Sequence, residues 1–163
     1  MCMELSIEKL LENGDVLTNV AGSTVEEVYK NVCKKIRLPE GLSGDVLCNE
    51  LLEREKILST AVGQGISIPH PRYPLLKAAE NQRIIVCFLK DSMNMNAPDS
   101  RRVFVMFILL SNSSQNHIKA LSSLAKLLHH KQFLDFLQSV PDKMELLKAV
   151  EKFSLPPSDV LED

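Results

Sequence analysis

Two continuous apolar runs, IIVCFL at residues 84–89 and VFVMFILL at residues 103–110, constrain this chain more than any other feature. Both are rich in β-branched or aromatic residues and neither alternates with polar ones, as expected of strands covered on both faces. A sheet buried twice over needs a helical layer above it and another below. The polar stretch between the runs carries Pro98, Asp99 and Ser100 as turn chemistry, so the two strands are expected to form a hairpin.

The helices that such a sheet demands can be read on either side of the runs. Ser23 with Glu26 fits a capping box, and Val25, Val28, Tyr29, Val32, Cys33 and Ile36 follow at helical spacing, predicting a helix over residues 24–37. Pro39 and Gly41 end it, and Ser43 or Asp45 caps a second helix that carries Val46, Leu47 and Leu51 inward as far as Glu55. Residues 59–74, STAVGQGISIPHPRYP, hold two glycines and three prolines and must form a shaped loop or short strand. After Ser113 or Ser114, the stripe Ile118, Leu121, Leu124, Ala125 and Leu128 predicts a long helix, and Phe133, Phe136 and Leu137 a short one. A last helix follows Pro141 with Met144, Leu147 and Val150 on its apolar side. The class expected is α/β, a sheet sandwiched between helices.

The 163 residues suit one domain, taken as residues 1–155, with a flexible tail at 156–163 that contains Pro156, Pro157 and three acids. No internal repeat or linker interrupts it. With 19 Lys plus Arg against 21 Asp plus Glu the formal charge is -2, which provides no basic face for nucleic acid. The first nine residues do not read as a signal peptide, and the longest apolar run falls well short of the roughly 20 residues that span a bilayer. A cytoplasmic protein with no membrane insertion is expected. Cys2, Cys33, Cys48 and Cys87 are scattered and form no C-x-x-C pair, so reduced thiols are expected, with Cys33 and Cys87 in core packing.

Among candidate chemical groups, His70 stands out because Pro69 and Pro71 flank it, and a residue before proline is held in extended conformations. Gly63 and Gly65 upstream are able to take positive φ and to offer bare N–H groups to an anion. The same pattern also suits a histidine in an ordinary surface turn. His117 falls in the first turn of a predicted helix, where the positive end of the dipole disfavours imidazolium, or it is a satisfied histidine at the core edge. Arg54, near the end of the second helix, offers a planar fork matched to phosphoryl oxygens, or is merely solvated. The adjacent His129 and His130 diverge by about 100° on a helix and make a poor metal site. No Walker loop, G-x-S-x-G or H-E-x-x-H occurs, so neither a nucleotide-dependent nor a metallohydrolase mechanism is supported.

Taken in order, RE at 54–55, ST at 59–60, GQGISIPH at 63–70, APDSRRV at 97–103 and NHIKALSSLAKLL at 116–128 resemble the fructose/mannitol/nitrogen-regulatory type of phosphotransferase-system enzyme IIA. The resemblance spans most of the chain and implies a three-layer sandwich, a mixed β-sheet flanked by helices, like mannitol enzyme IIA. It implies that His70, at the family's G-x-G-I-A-I-P-H histidine, is phosphorylated, with His117 and Arg54 as helpers and no cofactor or metal. Ser67 replaces the usual alanine, Pro71 stands where many members have glycine, and Asp99-Ser100 stands where Asp-Gly is common and is taken as a turn. The implied activity is that of a phosphotransferase. Its donor would be phospho-HPr or a nitrogen-type HPr, and its acceptor an enzyme IIB or a regulatory target protein. A stand-alone nitrogen-type regulator is preferred to a sugar carrier. A non-catalytic binding module of the same fold is the third reading.

Overall fold

The computed structural model describes residues 6–154, so the expected tail at 156–163 and Cys2 lie outside the described residues. A mixed five-stranded sheet runs in the order β1-β4-β5-β3-β2. Its members are β1 (Val16–Val20), β2 (Ala61–Gly63), β3 (Ile66–Ser67), β4 (Arg83–Met93) and β5 (Val103–Leu110). The two apolar runs are the central strands and pair antiparallel, as the hairpin reading required, from Arg83 opposite Leu110 to Met93 opposite Val103. β3 then adds parallel to β5, with Ile66 opposite Val105, and β1 parallel to β4 on the other side.

Period-two alternation in these strands feeds two separate cores. Ile85, Cys87, Met106, Ile108 and Leu110 face α2 (Val25–Lys35) and α3 (Gly44–Ile57), where Val28, Tyr29, Val32, Leu47 and Leu51 meet them. Ile84, Val86, Phe88, Val105, Phe107 and Leu109 face the opposite layer. That layer comprises α1 (Ile7–Asn13), α4 (Ser114–Leu128), α5 (Lys131–Leu137) and α6 (Lys143–Phe153). Full burial of each large side chain contributes about 1.5–3 kcal/mol, and Phe88, Phe107 and Phe133 are sealed almost completely. The three-layer α/β sandwich is therefore the fold.

The helix ends follow their capping chemistry, with small departures from the sequence reading. Thr24, not Ser23, caps α2, its Oγ1 accepting from Glu27 N–H, while Ser23 N–H donates to the Glu27 carboxylate at 2.7 Å. The cap thus lies one residue later, and Glu27 reaches past it to Ser23 rather than closing a capping box. Ser43, Ser113 and Asp142 cap α3, α4 and α6 with the same side-chain acceptor bond. Three apolar stripes are rotated from those expected. In α4 the buried face is Asn116, Ala120, Leu124 and Leu127, with Ile118 and Ala125 outside; Leu146 rather than Met144 turns inward in α6, and Val46 of α3 is half exposed. Val46 and Ala125 lie one position off a buried residue and Ile118 and Met144 two, and at a 100° step per residue each is turned out of the core face. The sequence reading assigned nothing to residues 7–20, where α1 and the edge strand β1 lie. Both elements are short, and β1 buries only Val20 outright.

Candidate functional site

β3 ends at Ser67, and the chain continues through Ile68 and Pro69 to His70 while still tied to its neighbours. Ile68 N–H donates to Thr60 O at 3.0 Å, and Leu109 N–H of β5 donates to Pro69 O at 2.9 Å. His70 is held by the sheet on one side and by Pro71, itself buried, on the other. Its Nδ1 lies 2.8 Å from Ile68 O. A carbonyl only accepts, so Nδ1 carries the proton and Nε2 keeps the lone pair.

α4 begins four residues after β5 ends, so its first turn rises beside this segment. His117 lies in that turn, and its ring centroid is 4.8 Å from that of His70, with the planes tilted by 46°. The two histidines share a cavity of ≈ 200 Å³ that is also lined by Arg72, Tyr73, Ser111 and Ser114. Both imidazoles titrate below their usual range. For His70 burial is the largest cause, and the Arg54 charge adds to it, while the bond to Ile68 O and the charge of Glu55 pull the other way. For His117 burial again leads, followed by the charges of His70 and Arg54. Both rings are thereby kept neutral near pH 7, the state in which imidazole is a nucleophile or a neutral hydrogen-bonding partner.

Arg54 is in the last turn of α3, where Nη1 donates to Leu58 O at 2.5 Å and closes the helix end. Its field reaches both histidines. The two histidines meet in one cavity, and Arg54, outside its lining, acts on both through its charge. The glycines do not join them. Gly63 (φ +102°) and Gly65 (φ +82°) build the β2–β3 turn, five residues up an extended segment from His70, about 16 Å at the usual strand rise. The Gln64 N–H at its tip is taken by Asp99 Oδ2 at 2.8 Å, and a Cβ on Gly65 would meet the Phe104 ring at 2.6 Å. These residues serve the turn; the cavity itself is lined by Ser114 and His117 in the first turn of α4, a helix end where an anion is favoured.

Two features escaped the sequence reading. The α4 N-terminus was read as a helix start, but its place beside His70 required knowing that β5 and β3 are neighbours. Glu55 carried a faint signal, being an acid in the last turn of a helix, at the negative end of the dipole, which implies a partner elsewhere. Its carboxylate accepts from Tyr29 Oη at 2.6 Å, Thr60 N at 2.7 Å and Thr60 Oγ1 at 2.8 Å. His129 and His130 have structural positions, capping α4 and opening α5, and the His130 ring lies 5.4 Å from Phe153. A larger groove of ≈ 540 Å³ between α2 and α3 mixes Lys30, Lys34, Glu26 and Asp45 with Cys33 and Cys48 and gathers no histidine. Among the described residues no group of three or more His, Cys, Asp or Glu side chains is placed to hold a metal, and no helix is long and apolar enough to cross a membrane.

The family model for the phosphoenolpyruvate-dependent sugar phosphotransferase system, EIIA 2, matches residues 9–153. The chain belongs to this family. A nitrogen regulatory protein of Pseudomonas aeruginosa is 29% identical over 150 residues, covering 90% of this chain and 95% of the relative. The mannitol-specific phosphotransferase enzyme IIA component of Mycoplasma pneumoniae is 29% identical over 117 residues, covering 72% and 78%. Among solved structures, nitrogen regulatory protein IIA-Ntr of Neisseria meningitidis superposes with a TM-score of 0.68 at 25% identity, covering 88% of this chain and 98% of that one.

Proposed function

We propose that this enzyme IIA is a phosphohistidine carrier in which Nε2 of His70 accepts a phosphoryl group from a phosphohistidine on HPr or a nitrogen-type HPr. The observation that carries the reading is the Nδ1–H bond to Ile68 O, which leaves Nε2 as the one nucleophilic nitrogen of a neutral ring. The step is an in-line displacement. An Nε2–P bond forms, the donor's N–P bond breaks, and the electron pair of that bond returns to the donor imidazole. Arg54, His117 and the first turn of α4 would spread the charge on the equatorial oxygens. No nucleotide enters the step. The chain acts on this reading as a single cytoplasmic domain.

Within the family we favour the nitrogen-regulatory branch, because the Pseudomonas relative matches along nearly the whole of both chains. The mannitol-type relative, equally identical over a shorter span, supports the second reading, a carrier that passes phosphate to a separate enzyme IIB. The test is incubation with phosphoenolpyruvate, enzyme I and each HPr in turn, scoring acid-labile, base-stable phosphate on wild type and His70→Ala. Label on wild type alone is expected. Absence of label from a donor shown to be active would overturn the carrier reading, and onward transfer to an enzyme IIB would favour the sugar branch.

A further inference from the structure

We propose that Glu55 is a positioning residue for His70, holding its tautomer and orientation through Thr60 and the Ile68 backbone. This rests on the carrier reading for its consequence in transfer, although the geometry exists without it. The bonds run in sequence. Tyr29 Oη and Thr60 Oγ1 both donate to Glu55 Oε1, and Thr60 N–H donates to Oε2. Thr60 O accepts from Ile68 N–H at 3.0 Å, and Ile68 O accepts from His70 Nδ1–H at 2.8 Å. Tyr29 and Thr60 are buried, so the start of this path has little room to relax.

The residue type matters at this point. Three donors converge on two oxygens, which a carboxylate satisfies and an amide cannot, because the NH2 of a glutamine would face a donor. No ion pair to Glu55 is present among the described residues, so its charge is met by neutral donors in charge-assisted bonds. The charged groups acting on His70 are Glu55 and Arg54 from α3, with His117 facing it from α4. Of these, only Glu55 favours the imidazolium form.

Glu55→Gln should therefore do two separable things. Nitrogen-15 NMR of the histidine rings should show His70 as predominantly the Nδ1–H tautomer in wild type, and a mixture of tautomers in the variant. Phosphoryl transfer from phospho-HPr should fall about 10–100-fold, the range for a displaced reacting group, while the acid limb of its pH profile moves to lower pH because the carboxylate charge is gone. A merely structural residue would leave that limb in place. Tyr29→Phe, which deletes one donor and keeps the ring, should show the same tautomer change to a smaller degree, and it carries the test if Glu55→Gln fails to fold. A folded variant whose His70 tautomer and acid limb match wild type would overturn the proposal. The NMR arm needs no phosphoryl donor, so unlabelled wild type would count against the carrier reading and leave Glu55 to be decided by the ring nitrogens.

Discussion

At the scale of single residues, the proposed carrier role sets a histidine that must stay neutral beside an arginine that stays charged. His70 and His117 both titrate below the ordinary 6.5, burial being the main cause in each. For a histidine with a depressed folded pKa the unfolded chain takes up protons first, so stability is full above pH 6.5 and declines as pH falls from there toward the folded values. The thermal midpoint should accordingly drop over that window. Replacing both rings with asparagine should flatten the drop, a comparison open to calorimetry. Arg54→Ala is expected to slow phosphoryl transfer by about 10²–10³-fold, the usual loss when a preorganised charge partner is removed. Its effect on stability should be only about 1 kcal/mol, since the one bond it makes closes a helix end. Rapid-quench kinetics and urea titration would separate the two, and an unimpaired rate would remove Arg54 from the site. Arg54 was named from sequence through the family resemblance, since its guanidinium chemistry alone suits a solvated helix end equally well. The role of Glu55 was not legible, since its three donors come from Tyr29 and Thr60, which only folding brings together.

At the scale of elements, two turns share one latch. Asp99, in the connection from β4 to β5, accepts from Gln64 N–H in the β2–β3 turn and from Arg101 N–H in its own. These backbone bonds hold its carboxyl below the usual range. Ser100 beside it takes φ +62°. An L-residue in that conformation costs about 1–2 kcal/mol, and glycine gives back part of the relief as unfolded-state entropy. Ser100→Gly should therefore raise the unfolding free energy from urea titration by less than about 1 kcal/mol. Gly65→Ala should lower it by about 1–3 kcal/mol, because Gly65 needs φ +82° and an added Cβ meets Phe104. Equal midpoints for the two variants would remove this account of the turns. The turn residues could be named from sequence, but their purpose could not. Gly63 and Gly65 looked like an anion cradle because glycine is equally suited to a tight hairpin, and only the partner, Asp99, decides between the two uses.

At the scale of the whole molecule, the position of the site follows from strand order. β3 and β5 are parallel, so both present carboxyl ends at one edge, and α4 starts there with its N-terminus. Loops beyond the ends of parallel strands are where α/β sheets bind ligands. The two central strands were legible because their burial writes itself as unbroken apolar runs. The pairing of β3 with β5 was not, since it joins segments nearly forty residues apart through only two opposed residue pairs. The same central strands tie the helical layers together, because β4 and β5 supply one face to α2 and α3 and the other to α1, α4, α5 and α6. Neither layer can lose its packing without exposing the back of the strands that support the other. Leu51→Ala in one layer and Leu124→Ala in the other should each cost about 2–5 kcal/mol. Both residues are sealed from solvent. Each variant should shift one cooperative transition, seen alike by near- and far-ultraviolet circular dichroism, with the denaturant slope unchanged. A variant that splits the transition, melting its own layer while the other persists, would show that the sheet does not couple them.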